Sequence, residues 1–176
     1  MPRIRTPRSR TRLVALTTTA ACAAGLLLTG CFNAITVTDA GRLGITVDAA
    51  GAPVLLVMLC EKGRPYVQLV EGRTKSDLES KANVQRGEWS TDTAYRGVQR
   101  LTPADPEAGW TTTESPGALA PDVLLVADGG TAEDDTASLV PVDFTPADLA
   151  TLRPGQVLTG GKTVSLDSFG RYRCAR

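Results

Sequence analysis

Acidic side chains are the groups in this sequence that could carry out acid–base chemistry. The chain of 176 residues contains no histidine, which excludes the Ser-His-Asp and Cys-His forms of nucleophile activation and most zinc and non-haem iron sites. Two carboxyl groups that face each other across a cleft can hydrolyse a glycosidic bond without histidine. The acids that could form such a pair surround a glycine-rich segment: Asp122, Asp128, Glu133, Asp134 and Asp135.

The setting of these acids favours a structural role. The segment Asp128–Asp135 is polar and contains two glycines, and we interpret it as a solvated acidic loop. Calcium binding by Asp128, Asp134 and Asp135 is the alternative, although their spacing matches no EF-hand loop. We therefore expect no catalytic residue, no metal ion and no cofactor, and a histidine-free hydrolase is the least favoured activity.

Three aromatic side chains, Trp89, Tyr95 and Trp110, could line a surface that binds a ligand. Scattered aromatic residues in a β domain more often pack into its core, where their large apolar area is buried. Trp89 and Trp110 are therefore candidate ligand-binding residues on the condition that the fold places them in a cleft. Such a cleft would indicate a module that binds a small molecule or a glycan.

The amino terminus has the layout of an export signal. Residues 1–12 carry five arginines and no acid, and residues 13–28 are uncharged and mainly apolar. A helix that spans a bilayer needs about 20 apolar residues, and this run is shorter and contains threonine and glycine. The basic flank stays in the cytosol by the positive-inside rule. Because the segment has no Arg-Arg pair, we expect the general secretory route.

The end of this segment, Leu28-Thr29-Gly30-Cys31, resembles the lipobox of bacterial lipoprotein precursors. The resemblance covers these four residues and the signal layout before them. It implies that the Cys31 thiol receives a diacylglyceryl group and that the peptide bond between Gly30 and Cys31 is cleaved. Two acyl chains on one residue suffice for stable anchoring, at about 0.8 kcal/mol for each buried CH₂.

Two alternatives stay open for the cleavage site. One is an ordinary signal peptide beside an unmodified Cys31, and the other is cleavage before Cys22, which leaves only Leu13–Thr18 as the apolar region. The whole layout also resembles, in composition, short lipoproteins of unknown function from high-GC Gram-positive bacteria, the actinobacteria. This resemblance implies the outer face of the cytoplasmic membrane, with a periplasmic leaflet of a two-membrane cell as the alternative.

Residues 31–176 form the predicted mature chain, a single extracytoplasmic domain of 146 residues. Five of the nineteen basic residues lie in the signal and no acid does, which leaves fourteen basic against nineteen acidic residues. This acidic balance is not typical of a nucleic-acid-binding protein. It is also not typical of a protein that anionic lipid headgroups attract, so we expect membrane contact through the lipid on Cys31.

Two further cysteines, Cys60 and Cys174, lie 114 positions apart in the mature chain. An even number of cysteines in an oxidising compartment predicts one disulfide. Closing a loop of this length stabilises a fold by roughly 4–5 kcal/mol in chain-entropy models. Two free buried thiols are the alternative.

The mature chain has the pattern of an all-β protein. Short runs with strand-like composition alternate with turn residues: Ile35–Thr38, Leu43–Val47, Val54–Cys60, Tyr66–Val70, Glu88–Thr91, Tyr95–Leu101, Trp110–Thr113, Val123–Ala127, Leu139–Phe144, Gln156–Thr159 and Thr163–Leu166. The continuous apolar run Val54–Cys60 indicates a central strand buried on both faces. We expect it to form a hairpin with Tyr66–Val70, and we expect a last pair of strands around Gly160 and Gly161.

The clearest helix signal lies at Thr145–Asp148. Thr145 is a suitable N-cap, Pro146 suits the first helical position and Asp148 favours the helix dipole. The region 72–83 is ambiguous between a solvated loop and a short helix that opens at Ser76–Glu79. We therefore predict an antiparallel β-sandwich with one or two short helices, of which an immunoglobulin-like topology is one form.

The link between Cys31 and the first predicted strand is short. Phe32, Asn33 and Ala34 lead directly into Ile35, so one end of the domain should face the bilayer. Together these features predict a non-enzymatic, lipid-anchored protein that binds another envelope protein or supports an envelope assembly.

Overall fold

Eleven strands and two short helices make up the part of the chain that the computed structural model describes, residues 38–72, 83–117 and 120–174. The strands are β1 (Thr38–Val47), β2 (Pro53–Gly63), β3 (Pro65–Glu71), β4 (Val84–Thr91), β5 (Tyr95–Leu101), β6 (Trp110–Glu114), β7 (Leu125–Thr131), β8 (Asp134–Val140), β9 (Val142–Phe144), β10 (Gln156–Thr159) and β11 (Lys162–Ser165). The helices are α1 (Pro146–Thr151) and α2 (Leu166–Gly170). The predicted all-β class is confirmed. Within the described ranges, no helix is long and apolar enough to cross a bilayer.

The strands join into one curled, mixed sheet. Its main path runs β5-β2-β1-β8-β7-β3-β4-β6, while β9 pairs with β7 and the β10–β11 hairpin pairs with β1. β1 and β8 run parallel, and the other pairings among the described strands are antiparallel. The parallel pair differs from the fully antiparallel arrangement that we predicted. β1 and β8 both begin at the same end of the sheet, and the strands that separate them in the sequence lie on either side of this pair.

The strand β2 is buried on both faces, as its continuous apolar run predicted. Leu55, Val57 and Leu59 point into the main core, which also contains side chains from β1, β3, β4, β7 and β9. The alternate residues point to a second cluster, where they meet Val157 of β10 and Phe169 of α2. Each fully buried side chain of this size stabilises the fold by about 1.5–3 kcal/mol.

The predicted hairpin between β2 and β3 is wrong. β2 pairs with β1 and β5, whereas β3 pairs with β4 and β7. Only Arg64 lies between the end of β2 at Gly63 and the start of β3 at Pro65, and the shortest common hairpin loop has two residues. The chain therefore passes at Arg64 from one part of the curled sheet to another. The Arg64 carbonyl accepts a hydrogen bond from the Ala132 N–H at 2.9 Å.

The predicted acidic loop is also wrong, because most of it is strand. β7 continues to Thr131 and β8 begins at Asp134, which leaves a two-residue turn. Gly129 and Gly130 have a packing role: a Cβ atom at these positions would lie 2.1 Å from the Tyr66 carbonyl oxygen and 2.5 Å from the Ala137 carbonyl oxygen, respectively. These glycines permit close backbone approach within the sheet rather than a loop conformation.

Local signals at the carboxyl-terminal side are confirmed. Thr145 caps α1, and its side chain and that of Asp148 form the reciprocal hydrogen bonds of a capping box. Gly160 and Gly161, both with positive φ, join β10 to β11. The second helix, α2, begins directly after β11 with Ser165 as its N-cap.

Several predictions fall outside the described residues. These are the signal segment 1–30, the lipid-attachment residue Cys31, the strand residues 35–37 and the ambiguous helix at Ser76–Glu79. They stay predictions from the sequence.

Candidate interaction surface

The five candidate acids occupy separate local environments. Asp128 lies on β7, where partial burial raises its pKa. The Asp134 carboxylate accepts hydrogen bonds from the Thr136 hydroxyl at 2.7 Å and from its N–H at 2.9 Å, and these bonds lower its pKa. Asp122 and Asp135 are exposed. Among the described residues, no three His, Cys, Asp or Glu side chains gather in a group that could hold a metal ion.

Glu133 is paired with a charged side chain of the described residues. Its carboxylate accepts a hydrogen bond from Arg64 Nε at 2.7 Å, and this bond lowers the pKa of Glu133 and raises that of Arg64. Both side chains are about 42% exposed, so solvent screens the pair and it adds little to stability. The pair fastens the β7–β8 turn to the link between β2 and β3.

Trp89 lies in the main core and not on a ligand-binding surface. Its exposure is 0%, because it points inward from β4 and its ring occupies the space that Gly87 leaves open. A Cβ atom at Gly87 would lie 2.4 Å from Trp89 Cη2. The sequence-based proposal of a ligand contact at Trp89 is therefore wrong, and the core alternative accounts for this residue.

Trp110 is half-buried at the start of β6, and it packs against the main core. Its ring meets that of Tyr95 edge to face, with centroids 6.3 Å apart. Burial raises the pKa of the Tyr95 hydroxyl, and neither this hydroxyl nor Trp89 Nε1 has a hydrogen-bond partner within the described part of the chain. Trp89 thus lies within the core, Tyr95 and Trp110 pack against its edge, and the two tryptophans do not line a common cleft.

A shallow groove among the described residues lies on the face of the sheet opposite the main core. It lies between β2, β5 and α2 and encloses about 470 Å³. Leu56 forms its buried floor, and Leu166, which is 39% exposed, forms part of its wall. The remaining lining residues are Val98, Arg100, Asp167, Gly170 and Arg171. The sequence did not reveal this groove, because Leu166 was assigned to a strand and the place of α2 depends on tertiary contacts.

A disulfide holds the segment that carries α2. Cys60 on β2 and Cys174 are bonded, with their Cα atoms 5.8 Å apart, in the pairing that the sequence predicted. Because β2 also provides the floor of the groove, the bond connects this floor directly to the segment that forms one wall.

A cation–π stack reinforces the same attachment. The Arg42 guanidinium carbon lies 5.3 Å from the centroid of Phe169 and 4.6 Å from that of Tyr172. The Arg42 Nε also donates to the Thr159 hydroxyl at 3.1 Å. The Tyr172 hydroxyl donates to the Asp39 carboxylate at 2.8 Å, and this bond raises the pKa of Tyr172. The wall of the groove is therefore fixed to β1 as well as to β2.

Comparison of the chain with protein-family models, with curated proteins and with solved structures found no match.

Proposed function

We propose that this chain is a lipid-anchored extracytoplasmic protein whose β domain binds another envelope protein and catalyses no reaction. The lipobox-like Leu28-Thr29-Gly30-Cys31 segment supports the anchor. The absence of histidine and the separate surroundings of the five acids support a non-enzymatic role. The observation that carries the binding role is the groove between β5 and α2.

The chemistry of this groove suits a protein side chain. Its floor and wall are apolar at Leu56, Val98 and Leu166, while Arg100 and Arg171 lie at its margin. An apolar centre with a polar rim is the usual arrangement of a surface that binds protein. Arg171 also pairs with Asp167 at 2.5 Å, and both side chains are largely exposed, so a partner can replace this pair at little cost.

A module for a small molecule or a glycan is the second function that the sequence suggested. It requires a cleft lined by Trp89 or Trp110. Because Trp89 is buried and Trp110 packs against Tyr95, the described residues give this alternative less support than they give to protein binding.

Photocrosslinking in intact cells tests the proposed binding role. A photoreactive amino acid replaces Leu166 in the groove, and in a control protein it replaces Ala50 in the exposed turn between β1 and β2. We expect a discrete heavier adduct from the Leu166 position and none from the Ala50 position. Equal labelling at both positions, or no adduct at either, contradicts the proposal.

A pair of matched valine variants separates the groove from the general surface. Val98→Asp places a charge in the groove, whereas Val140→Asp places the same charge on β8, where valine is 38% exposed. We expect Val98→Asp to abolish the Leu166 adduct and Val140→Asp to leave it unchanged. Loss of the adduct in both variants would mean that the groove has no specific role.

A further inference from the structure

We propose that the end of the sheet at which β1 begins rests on the lipid surface, with the Trp110 and Tyr66 rings at the level of the headgroups. This inference rests on the proposed anchor at Cys31. It assigns to the bilayer a particular face of the domain, and it leaves the groove between β5 and α2 free for a protein partner.

Strand directions define this end of the sheet. Thr38, the first residue of β1, pairs with Ala137 in the middle of the parallel strand β8, so β8 begins at the same end of the sheet as β1. The start of β5 at Tyr95 pairs with the end of β2 at Gly63, and the start of β6 at Trp110 pairs with the end of β4. The start of β3 likewise pairs with the end of β7. Five strands therefore begin and three strands end at the same edge of the fold as Thr38.

The length of chain before Thr38 limits the distance to the lipid. Seven residues lead from Cys31 to Thr38, and a fully extended chain of this length spans about 25 Å at most. β1 itself has ten residues, so the opposite end of the sheet is about 30 Å further away. A lipid on Cys31 therefore holds the Thr38 end near the bilayer, and the turn at Ala50 points away from it.

Two side chains at this end, those of Tyr66 and Trp110, suit the bilayer interface. All three tyrosines of the chain lie here: Tyr66 is the second residue of β3, Tyr95 is the first residue of β5 with its hydroxyl buried, and the Tyr172 hydroxyl donates a hydrogen bond to Asp39 near the start of β1. Trp110 is the first residue of β6, and Tyr66 is 37% exposed. Tyrosine and tryptophan concentrate at membrane interfaces because an apolar ring and a polar group are joined in one side chain.

Charge is not the cause of this orientation. The Arg64 guanidinium at this end is already paired with Glu133, and Asp134 and Asp135 lie directly beside that pair in the sequence. Such a mixture of signs gives little attraction to anionic headgroups. We therefore expect the same orientation on neutral and on anionic lipid.

Fluorescence quenching on vesicles tests the inference. The Cys31 thiol of the mature chain, residues 31–176, is coupled to a maleimide lipid in phosphatidylcholine vesicles, while the Cys60–Cys174 disulfide leaves no other thiol free. Brominated acyl chains quench tryptophan at short range. In the Trp110→Phe variant, Trp89 is the only tryptophan that emits. The difference in emission between the wild type and this variant reports Trp110, and the buried Trp89 is kept in both proteins. We expect brominated lipid to reduce Trp110 emission and to leave that of the buried Trp89 nearly unchanged.

An anchor at the opposite end provides the control. In Cys31→Ser with Ala50→Cys, the lipid is attached to the turn between β1 and β2, and we expect brominated lipid to leave Trp110 emission unchanged. Equal quenching of Trp110 from both anchors, or no quenching from Cys31, overturns the inference. If brominated lipid quenches Trp110 only when the vesicles contain phosphatidylglycerol, charge and not the aromatic side chains sets the orientation, and the inference is overturned. Failure of the anchor proposal is recognised separately, because it appears as unmodified Cys31 in protein from cells.

Discussion

Gly87 and Trp89 show how one missing side chain makes room for another within the main core. The tryptophan ring lies where a Cβ atom of residue 87 would project, at 2.4 Å from that position. This contact accounts for the full burial of Trp89 on a strand whose other inward positions carry smaller side chains. The sequence permitted a core role for Trp89, but it did not identify Gly87 as the residue on which that role depends.

Gly87→Ala should destabilise the domain. The added methyl group overlaps the Trp89 ring in a packed core, where overpacking typically costs about 1–3 kcal/mol. Urea unfolding followed by tryptophan emission measures the change in free energy of unfolding. Gly117→Ala is the control, since apart from its chain neighbours no atom of the described residues lies within 4 Å of a Cβ atom built there, and we expect it to change stability by less than about 0.5 kcal/mol. Equal stability of the two variants contradicts this account of the core.

Asp128 gives a prediction on pH. Partial burial raises its pKa above the ordinary value of 3.8, so the folded state binds its proton more tightly than the unfolded state does. The contribution of Asp128 to the stability of the fold is therefore fully present below pH 3.8 and is lost as the pH rises through the raised pKa of the folded state. Asp128→Asn should remove this loss of stability and so stabilise the domain at pH 7. The effect should be less than about 1 kcal/mol, because solvent screens a half-exposed carboxyl group.

Urea midpoints measured between pH 3 and pH 8 test this expectation. Asp143→Asn is the matched control, because Asp143 is an exposed residue on the neighbouring strand β9. The prediction for Asp128 fails if the wild type and Asp128→Asn lose stability in parallel across this range.

At the scale of elements, signals within a few residues predicted the structure well, and distant pairings were not predicted. The α1 cap and the β10–β11 hairpin depend on Thr145, Asp148 and a pair of glycines. The pairing of β2 with β5 depends on residues about 40 positions apart, and the composition of either strand does not specify its partner. The sequence predicts a loop at Gly129 and Gly130, whereas both lie in β7. Glycine is typical both of turns and of strands whose backbones approach closely, so its presence does not distinguish the two.

Thr145→Ala should destabilise the domain through loss of the α1 cap. The Thr145 hydroxyl accepts a hydrogen bond from the Asp148 N–H at 3.2 Å, and loss of an N-cap side chain typically costs about 0.5–2 kcal/mol. Thermal unfolding measures the loss. Thr145→Ser retains the hydroxyl and should restore most of the stability, whereas a serine variant as unstable as the alanine variant would exclude capping as the cause.

The Cys60–Cys174 bond predicts a thiol count. With Cys31 lipidated, the denatured mature protein should show no free thiol without reductant and two thiols with it. Reduction should lower the free energy of unfolding by roughly 4–5 kcal/mol, because the bond closes a loop of 114 positions. Two free thiols before reduction would contradict the pairing.

At the scale of the whole molecule, the all-β class followed from the sequence and the topology did not. Strand composition and turn spacing are local properties, whereas the parallel contact of β1 with β8 joins segments about 100 positions apart. The groove has the same origin, since it exists where α2 packs over β2 and β5. The strand directions are also needed to show that Tyr66 and Trp110 lie at the same end of the sheet as Thr38.

The proposed anchor at Cys31 connects these features, and the lipidation of Cys31 is the central proposal. Intact mass spectrometry of the protein from the membrane fraction, with Cys31→Ala fractionated in parallel, tests it most directly. We predict a mature chain that begins at residue 31 and carries a diacylglyceryl group, together with an unprocessed Cys31→Ala precursor that lacks this mass. A wild-type protein released into the medium with an unmodified Cys31, or cleaved before Cys22, would contradict the account.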